Sequence, residues 1–162
     1  SGMLSDRYGT RLFATLGMGV GAIGYIALAF LLTPTTPLIQ IEIILVIIGL
    51  GLGLFASPNI SSIMGSVPPQ RRGVASAIRA TLFNTGNVVS IGLVAYIITT
   101  AIPYQIVSGI ISGGYTTLTP NESVGFVTGI GRSFIVAAAI TLIGMLVSSL
   151  RGREIKTRAT NS

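Results

Sequence analysis

The sequence predicts an all-α membrane protein with four transmembrane helices. Of its 162 residues, 50% are hydrophobic and only 9% are charged, and the mean hydropathy is +0.82. A water-soluble domain has about 25% charged residues, so this chain has too few to cover a water-facing surface, and lipid is the expected solvent. Four apolar runs are also long enough for a helix to cross a bilayer, which takes about 17–25 residues, although the fourth is near the short end of that range.

The four runs are separated by segments of different character. The first covers about residues 12–33 and the second 38–64, and the TPTTP turn between them carries no charge. The third lies within 74–102, after a VPPQRRG turn, and the fourth covers 134–150. The segment 103–133 is rich in Gly, Ser and Thr and too broken to be a fifth span. We expect it to form an outer loop with room for a short interfacial helix.

The positions of Lys and Arg predict the orientation of the chain. Loops rich in these residues stay on the cytoplasmic side of a membrane. With four spans, both termini and the VPPQRRG turn lie on the same side, and the tail 151–162 belongs to it. The sequence therefore predicts a multi-pass protein of the plasma membrane with both termini in the cytoplasm. Eight of the 10 basic residues lie on that side, namely Arg7, Arg11, Arg71, Arg72, Arg151, Arg153, Lys156 and Arg158.

Several classes of function are disfavoured by what the sequence lacks. It has no Cys and no His, which removes thiol chemistry, disulfides and the usual zinc ligands. We find no carboxylate pair, nucleophile–base pair or phosphate loop, so we expect no enzyme, no catalytic residue, no metal and no cofactor. The glycines of Gly19–Gly24 match a dinucleotide fingerprint in spacing, but they lie inside one apolar helix without a preceding strand. The net charge of +6 comes without a basic stripe interleaved with aromatics, so we expect no nucleic-acid partner.

Glycines mark candidate contacts between the first two helices. Small residues on one helical face let two backbones approach closely in lipid, where packing drives association. The alternative is that glycine is simply tolerated in membrane helices. The candidate packing residues are Gly17, Gly21 and Gly24 in the first run and Gly49 and Gly53 in the second.

Two polar features fall inside the second run. Pro58 frees a backbone carbonyl, which in a membrane needs a neighbouring helix, a hydroxyl or water as its partner. With Asn59 beside it, this stretch either faces a cavity or shapes packing through a kink. Glu42, near the outer end of the run, is interpreted as an interfacial carboxylate, with a proton carrier as the alternative.

The third run is the most polar of the four. At 100° per residue, Ser76, Arg79, Asn87 and Ser90 share an arc of about 80°, and Asn84 lies further round. A polar stripe on a membrane helix should face protein or water rather than lipid. Arg79 has three open interpretations: snorkelling to the cytoplasmic headgroups, a conformational or lipid-pairing contact, and a role toward substrate.

The opening of the chain resembles a known signature. Its G-x-L-x-D-R-x-G-x-R pattern resembles the loop that joins the second and third helices of a six-helix half in the major facilitator superfamily. Thr10 stands where that pattern usually has a second basic residue. The resemblance implies a conformational latch on the cytoplasmic face, whose partner comes from the other half of the transporter. The residues that carry it are Gly2, Leu4, Asp6, Arg7, Gly9 and Arg11.

A later stretch, GLGLFASPNISSIMGSVPPQRRGVASAIRATLFNTGN, is similar to the late helices of the fourteen-helix drug:proton antiporter branch. The resemblance implies that residues 1–162 are the last four helices of a major-facilitator-type second half. It implies proton-coupled export of drugs or other small molecules by alternating access, with Pro58 and Asn59 near the substrate path. The expected partners are the remainder of the transporter, the lipid bilayer and a small-molecule substrate. The alternative is a free-standing four-span membrane protein that acts as an oligomeric carrier or an interaction subunit.

Overall fold

The computed structural model describes residues 10–114 and 117–150, with side chains from Leu12 onward. These ranges contain no strand, and four of the helices are long and apolar enough to cross a membrane. The predicted all-α class with four transmembrane helices is confirmed. The helices are α1 (Thr10–Leu31), α2 (Leu38–Gly65), α3 (Arg72–Thr99), α4 (Tyr104–Ile111) and α5 (Pro120–Leu150), and a 3₁₀ turn (Pro69–Arg71) lies between α2 and α3.

Helix α1 lies between α2 and α5 and packs against both of them. Leu28 of α1 is buried together with Ile44 and Ile48 of α2, and these three form the main apolar cluster. On the α5 side, the rings of Tyr25 and Phe134 stack with their centroids 6.2 Å apart. Three of the four long helices therefore form one packed unit.

The contact between α1 and α2 depends on glycine. A Cβ added at Gly51 would lie 2.7 Å from both the Gly17 carbonyl oxygen and the Gly21 amide nitrogen. One added at Gly24 would meet the Ile48 side chain. Gly17 and Gly24 therefore lie at the contact, because the α2 backbone at Gly17 and the Ile48 side chain at Gly24 occupy the space that a side chain would need. Gly21 contributes its amide nitrogen to the contact, but a Cβ added there would meet no atom within 4 Å in the described residues.

The expectation for α2 needs a correction. Gly49 and Gly53 are exposed, and a Cβ added at either would meet no atom within 4 Å in the described part of the chain. Gly51 makes the contact instead. A shift of two residues turns a helical position by about 200°, so the expected glycines face away from α1.

Helix α3 stands apart from the packed unit along most of its length. It contacts α5 near its C-terminal end, where a Cβ at Gly129 would lie 3.0 Å from the Ile98 Cα. A second buried cluster lies there, formed by Ile98 of α3, Ile102 between the two helices and Val107 of α4. Every residue from Thr81 to Val94 is exposed. The C-terminal end of α3 is therefore packed, and its middle has no cover within the described residues.

The segment expected as an outer loop, 103–133, contains α4 and the first 14 residues of α5, since α5 begins at Pro120 rather than at 134. A capping box starts this helix. The Thr119 amide donates to Glu122 Oε2 at 2.7 Å, and the Glu122 amide donates to Thr119 Oγ1 at 3.4 Å. Pro120 occupies the first helical position, which suits its fixed φ. At 31 residues, α5 is about 46 Å long, so part of it extends beyond a hydrocarbon core of about 30 Å.

Candidate functional site

Pro58 and Asn59 are neighbours in α2 but lie in different surroundings. Pro58 is fully buried, and it lies seven residues after Gly51, on the same helical face. This placement favours packing as the role of Pro58. Asn59 is half-buried and lines an open cleft of about 580 Å³ between α1, α2 and α5.

The cleft combines an apolar lining with a few polar groups. Ser148 lines it, and the Ser148 hydroxyl lies 3.5 Å from that of Thr15 behind it. A mostly apolar concave surface with few polar groups is the usual composition of a small-molecule site. The full lining is Met18, Phe55, Asn59, Gly144, Val147, Ser148 and Leu150. It includes no residue of α3, so the structure does not bring Asn59 together with the polar stripe of that helix.

The polar stripe of α3 is present and open. Asn84, Asn87 and Ser90 are all exposed, and the Ser90 hydroxyl donates to the Asn87 carbonyl oxygen at 2.8 Å within the helix. The amides of both asparagines remain accessible. In a membrane, such groups need protein or water opposite them, so this surface is where we expect another part of the protein or an aqueous path.

Arg79 is the charged member of the stripe. It is half-buried, and its Nε has no accessible surface and no hydrogen-bond partner among the described residues. Glu42 and Glu122, the two acidic residues in the described ranges, do not pair with it: Glu42 lies at the opposite end of the α2–α3 hairpin and Glu122 in the first turn of α5. A charged group with a buried, unpaired nitrogen is costly unless a partner is supplied. The arrangement favours a contact for Arg79 over a free side chain in the headgroup layer.

The comparison with protein families settles the class of protein. The sequence model of the Major Facilitator Superfamily matches residues 1–119, a range that runs from the opening loop through α4. The chain belongs to the major facilitator superfamily. Members of this superfamily are membrane transporters rather than enzymes.

One relative of stated function is similar to most of this superfamily chain. It is the riboflavin transporter RibZ of Clostridioides difficile strain 630, which is 28% identical over 148 residues. The match covers 91% of the chain but 30% of the relative's length, so the chain spans less than a third of that transporter. No solved structure matches the chain significantly.

The residues of the expected latch, Gly2, Leu4, Asp6, Arg7 and Gly9, lie outside the described residues. Arg11 falls in the first turn of α1, but its side chain is also outside the description. The latch role stays a prediction.

Sequence reasoning missed two features. The first is Gly51, because apolar residues lie on every side of α2 and its pattern does not show which face meets α1. The second is the capping box, although Thr119 followed three residues later by Glu122 was a readable helix-start signal.

Proposed function

We propose that this chain is the C-terminal part of a secondary active transporter that exports small organic molecules in exchange for protons. It would work by alternating access in the plasma membrane, with both termini in the cytoplasm. The observation that carries the proposal is the open middle of α3, with its exposed polar stripe, in a chain of a transporter superfamily.

The packing supports different roles for the packed helices α1, α2 and α5 and for the exposed helix α3. The glycine contact of α1 with α2, and the packing of α1 against α5, give a unit suited to move as one body. Carriers of this kind rock one group of helices against another around a site near the middle of the membrane. We propose that the stripe of α3, including Asn87 and Arg79, faces the remainder of the transporter or its aqueous path.

Proton coupling is proposed to depend on acidic residues in the remainder of the transporter. Of the four acidic residues in this chain, Glu42 and Glu122 lie toward the predicted outer ends of α2 and α5, and Asp6 and Glu154 lie in predicted cytoplasmic segments. None of these positions is at the predicted membrane midplane, where a coupled carrier binds its substrate and ion.

A second candidate is transport of riboflavin. The similarity to RibZ over 91% of the chain favours it. A flat heterocycle with a polar side arm also suits the cleft between α1, α2 and α5, where the Asn59 amide and the Ser148 hydroxyl lie among apolar side chains.

The test uses the complete transporter in liposomes, with a pH gradient imposed across the membrane. Export coupled to protons predicts that a panel of organic cations moves against its gradient only while the proton gradient lasts, and that an ionophore abolishes the movement. Riboflavin is assayed in the same vesicles with and without the gradient. If neither riboflavin nor any member of the panel is transported, the proposal is overturned.

The alternative of a free-standing four-span protein is tested with the same assay on the 162-residue chain alone. We expect insertion without transport, because a carrier's path needs both of its halves. Gradient-driven transport by the chain alone would support the small-carrier alternative. The genomic sequence upstream provides a second test, since an open frame that continues for several hundred codons supports the larger transporter.

A further inference from the structure

Helix α4 turns back toward the membrane after α3 ends. Val107, in the middle of α4, packs on Ile98 and Ile102. Ile111, at the end of α4, shares a cavity with Ile91 and other residues further down α3. Ile91 lies eight residues before the end of α3, or about 12 Å along the helix. The C-terminal end of α4 therefore reaches a level that is well inside α3.

That level falls within the hydrocarbon core. Helix α3 has 28 residues and is about 42 Å long, compared with a core of about 30 Å. If α3 is centred, about four residues extend beyond the core at each end, so Ile91 lies inside it. If α3 is instead moved along the membrane normal until Arg79 lies at the inner boundary of the hydrocarbon core, Ile91 still lies inside the core.

The composition of this region suits lipid rather than water. No Asp, Glu, Lys or Arg occurs from Ala80 to Asn121, although a surface in water carries many. On the outward side of α4, Tyr104 is 69% exposed and Ile111 is 68% exposed. Tyr is enriched at membrane interfaces, and an exposed Ile at the deeper end of the helix has lipid as its favourable environment.

The deep end of α4 also leaves few backbone groups free. The Gly114 amide donates to the Gly109 carbonyl at 2.8 Å, and the Gly113 amide donates to the Ile110 carbonyl at 3.2 Å. This is a Schellman closure, and Gly113 supplies the positive φ of 77° that it requires. The Ser112 hydroxyl donates to the Gly109 carbonyl at 3.1 Å. Internal satisfaction of polar groups is what a chain end in hydrocarbon needs.

We propose that α4 is inserted obliquely into the outer leaflet and that an acyl chain of a bilayer phospholipid occupies the cavity between α3, α4 and α5. The cavity measures about 300 Å³. The Ser90 hydroxyl in its lining donates to the Asn87 carbonyl within α3, so this member of the polar stripe needs neither water nor protein opposite it, and the other lining side chains are apolar. Apolar surface favours an apolar neighbour over water, so an occupant of matching chemistry is favoured in this open cavity. Lipid tails surround this part of the chain and meet that requirement. The lining is Ser90, Ile91, Val94, Ala95, Ile98, Val107, Ile110, Ile111 and Phe126.

The test measures depth along α4 in the complete transporter, made free of other cysteines and reconstituted in phosphatidylcholine vesicles. The chain itself has no Cys, so Ile111→Cys, Tyr104→Cys and Asn121→Cys each place one nitroxide label. Asn121 lies in the first turn of α5 beside Glu122 and is the water-side control. The accessibility of each label to oxygen, which concentrates in lipid, is compared with its accessibility to a water-soluble nickel chelate.

We expect the ratio of oxygen to nickel accessibility to be severalfold higher at Ile111 than at Asn121, with Tyr104 between them. Nitroxide-labelled lipids should also broaden the Ile111 signal most. Equal nickel access at all three sites would place α4 in water, and shielding of Ile111 from both reagents would show that protein covers it; either result overturns the proposal. If Ile111→Cys and Tyr104→Cys do not fold, Gln105→Cys and Ser112→Cys test the same change in accessibility along α4. Both replace exposed polar residues at the two ends of this helix.

Discussion

The close approach of α1 and α2 predicts a sharp difference between three neighbouring glycines of α2. In Gly51→Ala, the new Cβ would lie 2.7 Å from the Gly17 carbonyl oxygen and the Gly21 amide nitrogen. Ordinary contacts between heavy atoms lie at about 3.5–4.0 Å. Since both neighbours are backbone atoms, no side-chain rotation relieves the overlap, and the two helices have to move apart by about 1 Å.

The expected cost follows from two opposing effects. Overpacking of a well-packed contact costs about 1–3 kcal/mol, and the higher helix propensity of alanine offsets up to about 1 kcal/mol. We therefore expect Gly51→Ala to lower the free energy of unfolding by about 1–2 kcal/mol. Gly51→Leu should prevent the correct assembly of α1 with α2.

Gly49→Ala and Gly53→Ala are the matched controls, because a Cβ at either position meets no atom within 4 Å in the described residues. The assay is thermal unfolding of the purified complete transporter in detergent, scored by loss of the monodisperse peak. Gly17→Ala with Gly51→Ala should cost less than the sum of the two single changes, since the separation of α1 from α2 that one added Cβ forces also makes room for the other. If Gly51→Ala is as stable as its controls, the crossing of α1 and α2 described here is wrong.

Three further outcomes are expected. Gly129→Val should separate α5 from Ile98, against which an added Cβ would lie 3.0 Å from the Cα, and should lower thermal stability, whereas Gly92→Ala, in open space, should not. Thr119→Ala should raise hydrogen exchange in the first turn of α5, because it removes the hydroxyl that bonds the Glu122 carboxylate and accepts from the Glu122 amide. Equal exchange in Thr119→Ala and Thr117→Ala would show that the capping box does not hold this end. Asn87→Leu should reduce transport per molecule without changing membrane abundance, because it removes an exposed polar group of α3; full transport would favour a packing role for this position.

The fold class could be predicted from the sequence, because the length of an apolar segment determines whether its helix can cross a bilayer. The polar stripe of α3 was also readable, since helical periodicity places Arg79, Asn87 and Ser90 on one face whatever surrounds them. The contact face of α2 could not be predicted, because apolar residues lie on every side of this helix and single out no face. Its contacts had to come from three-dimensional packing, which selected Gly51.

The helix of the fourth span begins 14 residues before residue 134, where that span was predicted to start, for a different reason. Its first part is rich in Gly, Ser and Thr, so the hydropathy signal is weak there although Thr119 and Glu122 mark a helix start. Local capping, rather than hydrophobicity, determines this boundary. The partners of Arg79 and of the α3 stripe could not be predicted, since no described residue supplies them.

The position of the basic turn relative to the membrane tests most directly whether this transporter chain crosses the bilayer four times with its termini in the cytoplasm. Gln70→Cys lies in the exposed 3₁₀ turn beside Arg71, and Thr35→Cys lies in the exposed turn between α1 and α2. In intact cells, a membrane-impermeant maleimide should label Thr35→Cys and leave Gln70→Cys unlabelled until the membrane is opened. Labelling of Gln70→Cys from the external medium would contradict the orientation and the four-span topology on which it rests.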